Sequence, residues 1–438
     1  MAIFVRKGDF MCHRGVGQAF LAGNPYECGQ DIYPVARTMM ITVFAFGSLY
    51  FARTLSYVLA IIALLVCFFC WKSIANGEKK VSSKISQVAA LFTVVLSCAF
   101  LIRDLDECGL QLFTLFFLSA GGYSLYHGKK LWSGFWLATA AMWKVTPIVF
   151  LPFLLWKREW KAAGWMGGFL LAWCVAPMPF VGVEMTVKCH QQWLARSIKI
   201  ASAKQAYPSQ LELEAPKVYN LSLHATIARN LETYPPSHPL HLDHPAFFQF
   251  GNLPPLTAYY AVRGVLLVLG LILAWRFWGN WSQSNGSPRF AHEWAAVCIL
   301  SAILSPVTWK QHLVLMLPAL FLIFRNFLSE PSVAPWRRVS LLIVALIFLI
   351  RRELIGKPLA LVLLAYKVDT FAVLLLMLLI LTPSRKSQSQ DEPKLLAYRQ
   401  TIPPDTFPDD WAKRSTTVSF LRESGDNRLG LHTRDFER

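Results

Sequence analysis

Charge is scarce in this 438-residue chain: only 16% of its residues are Asp, Glu, Lys or Arg, against 55% that are hydrophobic. Such a balance excludes an ordinary soluble domain, in which roughly a quarter of residues are charged. The charge present is lopsided, with 43 basic residues to 26 acidic ones and a formal net charge of +17. In so apolar a chain this surplus points to short cytoplasmic loops beside membrane spans, and no nucleic-acid partner is expected. Metal-ligand spacing is missing too. The nine cysteines are scattered, with Cys67, Cys70, Cys98, Cys174 and Cys298 inside apolar runs, so no metal and no other cofactor is expected. A Gly-rich phosphate loop, a His-Glu-x-x-His and a Gly-x-Ser-x-Gly are all absent, which removes the usual signatures of nucleotide hydrolysis, zinc proteolysis and serine-hydrolase chemistry. Residues 1–10 are too short and polar for a cleavable signal peptide.

What the chain has instead is a series of apolar runs close to the roughly 20 residues that cross a bilayer as a helix. The expected fold is all-α and integral to the membrane, a polytopic bundle of about ten spans. The spans are placed at about 55–71, 85–102, 110–126, 131–156, 164–180, 259–277, 294–307, 313–328, 339–350 and 359–381, after a half-crossing helix at 36–50. Residues 1–35 read as an outer N-terminal loop and 36–382 as the membrane domain, within which 181–256 forms a small extracytoplasmic subdomain. Residues 383–438 read as a disordered cytoplasmic tail. Basic loops at 72–84, 127–130 and 276–289 fall in the cytoplasm, which places Asp9, the loop 103–109, Asn220 and His312 outside. The localisation expected is a multi-pass protein of the plasma membrane.

The run 131–156 breaks the alternation. Lys129 and Lys130 precede it, Lys157, Arg158 and Lys161 follow it, and Lys144 and Pro147 interrupt its middle. Both ends favour the cytoplasm, and a Lys in hydrocarbon is expensive. Two half-helices that enter and return, with Lys144 near the apex, resolve the conflict. A single long tilted helix is the alternative. The last span carries Lys367 and Asp369, which pair within the bundle or mark a break.

Four polar sets converge on the outer face: Asp9, the loop from Arg103 to Glu107, Asn220 to Arg229, and Lys310 to His312. Each has a plainer reading, as a helix cap, a solvated turn or an interfacial anchor. Lys144 resists one, because an ionisable group inside an apolar run is a functional candidate by default. Together the set offers a base, several cations and a cavity open to lipid and water, which suits an anionic, lipid-attached substrate. A transporter or lipid flippase is the rival. It often shows two related halves, which this chain lacks.

The chain resembles glycosyltransferase family 87, polyprenol-phosphate-dependent membrane enzymes that include α-1,2-mannosyltransferases. Four stretches carry the likeness: Asp9-Phe10 with the turn Gly23-Asn24-Pro25-Tyr26; Lys144-Val145-Thr146-Pro147 followed by Leu151-Pro152 and Lys157-Arg158; Asn220-Leu221-Ser222-Leu223 with Arg229; and Ser305-Pro306-Val307-Thr308-Trp309-Lys310-Gln311-His312. The resemblance implies a GT-C fold and an inverting transfer of a hexose, mannose in the first instance, from a polyprenyl phosphate to an extracytoplasmic lipid or glycan acceptor. It puts the base on Asp9 and the substrate contacts on Lys144, Arg103, Asn220, Arg229, Lys310 and His312, with membrane lipids as the remaining partners. Two departures stand out. The family's usual Gly-Gln-x-Asn is here Gly109-Leu110-Gln111-Leu112, so no role passes to Gln111. The family also has a span before the first loop: either the start is set too late, in which case an apolar run of about twenty residues is expected upstream of Met1, or this copy lacks the anchoring helix.

Overall fold

A computed structural model of the chain describes residues 9–27, 33–78, 81–106, 109–202, 219–234, 249–278, 288–330, 333–350 and 352–382. Two units separate, Met1–Thr382 and Pro383–Arg438, and the second, with the expected disordered tail, lies outside the described residues. Among the described residues the architecture is all-helical, apart from an isolated bridge between Glu232 and Leu253. In chain order the helices are α1 (Asp9–Leu21), α2 (Val35–Met40), α3 (Leu49–Glu78), α4 (Ser83–Asp106), α5 (Leu110–Tyr126), α6 (Lys130–Trp143), α7 (Phe150–Trp156), α8 (Trp160–Val175) and α9 (Met178–Val181). There follow α10 (Val183–Ser202), α11 (Leu223–Leu231), α12 (Pro255–Arg276), α13 (Pro288–Ile303), α14 (Leu317–Ser329), α15 (Pro335–Leu349), α16 (Arg352–Ala365) and α17 (Val368–Leu381). Five described helical segments are long and apolar enough to cross a membrane: Leu49–Asn76, Ser83–Asp106, Trp160–Val181, Pro255–Arg276 and Lys310–Ser329. A sixth is added if the bent pair Leu354–Ala365 and Val368–Leu381 counts as one span.

The layering follows from which helices have a face to hide. α13 is buried on every side, through Ala291, Trp294, Ala295, Ala296, Val297, Cys298 and Ile299, and a helix without a polar face belongs at the centre of a bundle. Its small residues let neighbouring backbones close in. Trp294 lies opposite Gly122 of α5, where an added Cβ would meet the indole nitrogen at 2.8 Å, and its N–H donates to the carbonyl of Leu118 at 3.1 Å. Trp71 of α3 likewise donates to Ser119 of α5 at 3.0 Å. By contrast, only 11% of the apolar window of Trp160–Val181 and 17% of that of Pro255–Arg276 are buried, against 72% for Lys310–Ser329. The first two are peripheral and present Leu171, Val175, Leu267 and Leu271 outward.

Within the segment expected as an N-terminal loop, Asp9–Leu21 is helical. Phe10, His13, Val16 and Phe20 fall on one face of α1 and are buried, a stripe masked in the sequence by the intervening Arg14, Gly15 and Gly17. The Gly23-Asn24 turn does end it, with N–H bonds from Asn24 to Ala19 and from Gly23 to Phe20 that satisfy the last carbonyls.

The 131–156 run is a hairpin. α6 ends at Trp143, Lys144 is extended, and a 3-10 turn at Thr146–Val149 leads into α7. The two ends meet: Lys130 at the start of α6 and Glu159 just after α7 form an ion pair at 2.8 Å. Lys157 docks at this same end, on Glu293 and the Phe277 carbonyl, both at 2.6 Å. Lys144 is therefore at the apex. The last span is also broken: α16 and α17 bend by 63° around Lys367, whose φ is 57°. Asp369 pairs with Lys310 at 3.4 Å, not with Lys367.

Candidate functional site

The apex of the hairpin is fixed by packing before any polar group is considered. Trp143 shares a buried cluster with Phe10 of α1, Ile41, Phe44 and Ala52, and with Leu110 at the start of α5. Its N–H donates to the Leu110 carbonyl at 3.0 Å. The first turn of α1, which Asp9 opens, is thus linked to the residue before Lys144 through Phe44 and Phe113. The side chain of Asp9 lies outside the described residues.

Lys144 is buried and donates to Oε1 of Gln111 at 3.0 Å. A neutral amide leaves its charge unneutralised. The nearest carboxylate, Asp104, is already engaged: its two oxygens accept the N–H groups of Gln111 and Leu112, each at 3.0 Å. Asp104 is therefore the cap of α5, satisfying donors that a helix start leaves open. The sequence reading of 103–107 as a solvated turn fails here, since Asp104 is 1% exposed. The chain can turn back so tightly because Gly109 takes φ +70°, and a Cβ there would stand 2.7 Å from Ala60. Arg103, one residue earlier, is exposed; Glu107 lies outside the described residues.

His312 completes this corner. It opens the buried run from 312 to 316, and its Nδ1 accepts the N–H of Trp309 at 3.1 Å. In the neutral ring that bond places the proton on Nε2. Lys144 and Arg37 are within electrostatic reach of His312, so three buried nitrogenous groups share one region. Arg37, on α2, went unnoticed in the sequence because its segment reads only as a short apolar helix. Gln111 was set aside for want of the family's spacing, yet it holds Lys144.

The other sequence-predicted contacts have different partners. Asn220 is saturated: Nδ2 donates to Pro306 at 3.0 Å, while Oδ1 accepts the N–H groups of Ser222 and Thr308, both at 3.0 Å. Leu221 adds a backbone bond to the Thr308 carbonyl at 2.7 Å, and Ser222 caps α11 through the Ala225 N–H. Two motifs that looked like separate ligand contacts thus form one clamp that aims the chain toward His312. Arg229 is fully buried, donating to the Ala365 carbonyl at 2.9 Å and to Asn230 at 3.1 Å with Tyr366 beneath it, and so secures the break before α17. Lys310 is partnered by Asp369. Among the described residues no group of three or more His, Cys, Asp or Glu side chains converges so as to hold a metal ion.

A buried corner with two cationic side chains, Lys144 and Arg37, and the Nε2–H of a neutral His312 on three separate elements can bind an anion. No curated protein and no solved structure matches the chain. The model of glycosyltransferase family 87 matches residues 32–306, well over half of it. That match takes in Arg37, Arg103, Lys144, Asn220 and Arg229; Asp9, Lys310 and His312 lie outside it. A bundle with several membrane-length helices and this match together place the chain in glycosyltransferase family 87, as a membrane glycosyltransferase.

Proposed function

We propose that the protein transfers a hexose, mannose in the first instance, from a polyprenyl phosphate to an extracytoplasmic lipid or glycan acceptor with inversion at the anomeric carbon. The observation that supports this reading is Lys144 at the apex of a hairpin, its charge unneutralised, beside His312 and linked through Trp143, Phe113 and Phe44 to the helix that Asp9 opens. Lys144 and His312 bind the donor phosphate. The Asp9 carboxylate takes the proton from the acceptor hydroxyl as its oxygen attacks the anomeric carbon. The phosphate leaves with the electron pair of the broken bond, and nearby cations stabilise that charge. Arg103 is exposed. Asn220, Arg229 and Lys310 shape the site through the partners described above.

The same reading places the protein in the plasma membrane with a GT-C-type bundle of about ten spans. α5, α13 and α15 then cross as shorter helices, while α6 and α7 enter and return. The test is transfer by the purified, reconstituted chain from a panel of labelled polyprenyl-phosphate sugars, with nucleotide sugars in parallel. Transfer from a polyprenyl-phosphate hexose is the expected result; transfer from nucleotide sugars alone would overturn the donor assignment.

A further inference from the structure

Arg37 has no part in the reading above, yet it is the least explained charge in the bundle. It is 4% exposed, and neither Nε nor Nη1 has a hydrogen-bond partner. The Tyr33 ring stacks under its guanidinium at 3.3 Å, which fixes the plane of the fork without satisfying its donors. One nitrogen of Arg229 and one of Arg337 lack a hydrogen bond too, but the rest of their forks bond the protein: Arg229 the Ala365 carbonyl, and Arg337 the carbonyls of Thr382 and Leu379. A buried guanidinium with unmade hydrogen bonds is costly, and a chain keeps one where a ligand supplies the acceptors. Among the described residues, the groups on which Arg37 acts electrostatically are Lys144, His312 and His13, all nitrogen bases, a surrounding that favours an anion.

We propose that Arg37 contacts the donor phosphate directly and tightens its hold as the sugar departs. The assignment rests on the donor reading above. In the step, the bond from the anomeric carbon to the phosphate oxygen breaks and the acceptor oxygen bonds to that carbon. The acceptor proton passes to Asp9, and the electron pair stays on the phosphate, which goes from one negative charge to two on full ionisation. A guanidinium aimed at that oxygen gains more from the product-like charge than from the ground state, which makes Arg37 a contributor to turnover as well as to binding.

The test uses the full chain in nanodiscs, with a polyprenyl monophosphate as the bound probe and labelled donor for turnover. Arg37→Ala is expected to weaken probe binding at least tenfold and to lower kcat, with acceptor KM unchanged. Added guanidinium ion should restore part of the lost turnover, which a merely structural loss would not allow. Should Arg37→Ala fail to fold, Arg37→Gln and Arg37→Lys, which keep a stem against Tyr33, decide the matter: Gln should behave as Ala is expected to, and Lys should fall between. Probe affinity and kcat equal to wild type in a folded Arg37→Gln would overturn the role of Arg37 and leave the donor reading standing. A wild-type chain that binds no polyprenyl monophosphate would overturn both.

Discussion

At the scale of single residues, the division between base and anchor is the sharpest consequence of the site. Asp9→Asn keeps size and hydrogen bonding but removes basicity, so turnover should fall by about 10²–10⁴-fold while donor affinity stays near wild type. Lys144→Ala and His312→Ala should instead raise the donor Kd. Hydrogen bonds to charged groups contribute about 1.5–3 kcal/mol, which corresponds to roughly ten- to hundred-fold. Equilibrium binding and turnover on the same preparations separate the two effects. Asp104 should behave as neither. Asp104→Ala strands two buried N–H groups of α5 and should cost about 1–3 kcal/mol of stability, read as a lowered melting temperature in a fixed detergent. Lys144 was legible as a candidate because a lysine in an apolar run has few innocent explanations. The protein partners of Asn220 and Arg229 were not legible, because a side chain that clamps the backbone and one that binds a ligand look identical in sequence.

At the scale of elements, the hairpin was legible and the helix at the N-terminus was not. Basic residues on both flanks of 131–156 carry topological information, whereas the stripe Phe10, His13, Val16, Phe20 is too short and too interrupted to stand out. The hairpin's two anchors should differ in weight. Lys130 and Glu159 are partly solvated, with side chains 40% and 20% exposed, so Glu159→Ala should cost no more than about 1 kcal/mol. Lys157 and Glu293 are at 0% and 4%, and removing one partner leaves the other charged and buried, a loss of about 3–5 kcal/mol. Melting curves of Glu159→Ala and Glu293→Ala, side by side, check the contrast.

At the scale of the whole molecule, the apolar runs and their basic flanks announced a helical membrane protein. The number of crossings stayed illegible, because a helix such as the 17-residue α5 is too short to declare itself a span yet long enough to cross inside a bundle. Sidedness can be measured directly. In a background with the native cysteines replaced, single cysteines at the exposed position 219 and the partly exposed position 310 should react with an impermeant reagent from one side of sealed vesicles, and cysteines at 129 and 158 from the other. The Asn220 clamp also sets an order of assembly. Its acceptor and donor at Pro306 and Thr308 lie 86 and 88 residues downstream, with α12 and α13 in between. During synthesis the stretch around Asn220 must wait, unpartnered, until α13 has left the ribosome and been inserted. Nascent chains arrested before residue 305 should therefore be cut by protease near 220, and those arrested after residue 330 should resist. The corner proposed to hold the substrate is then among the last parts of the protein to be finished.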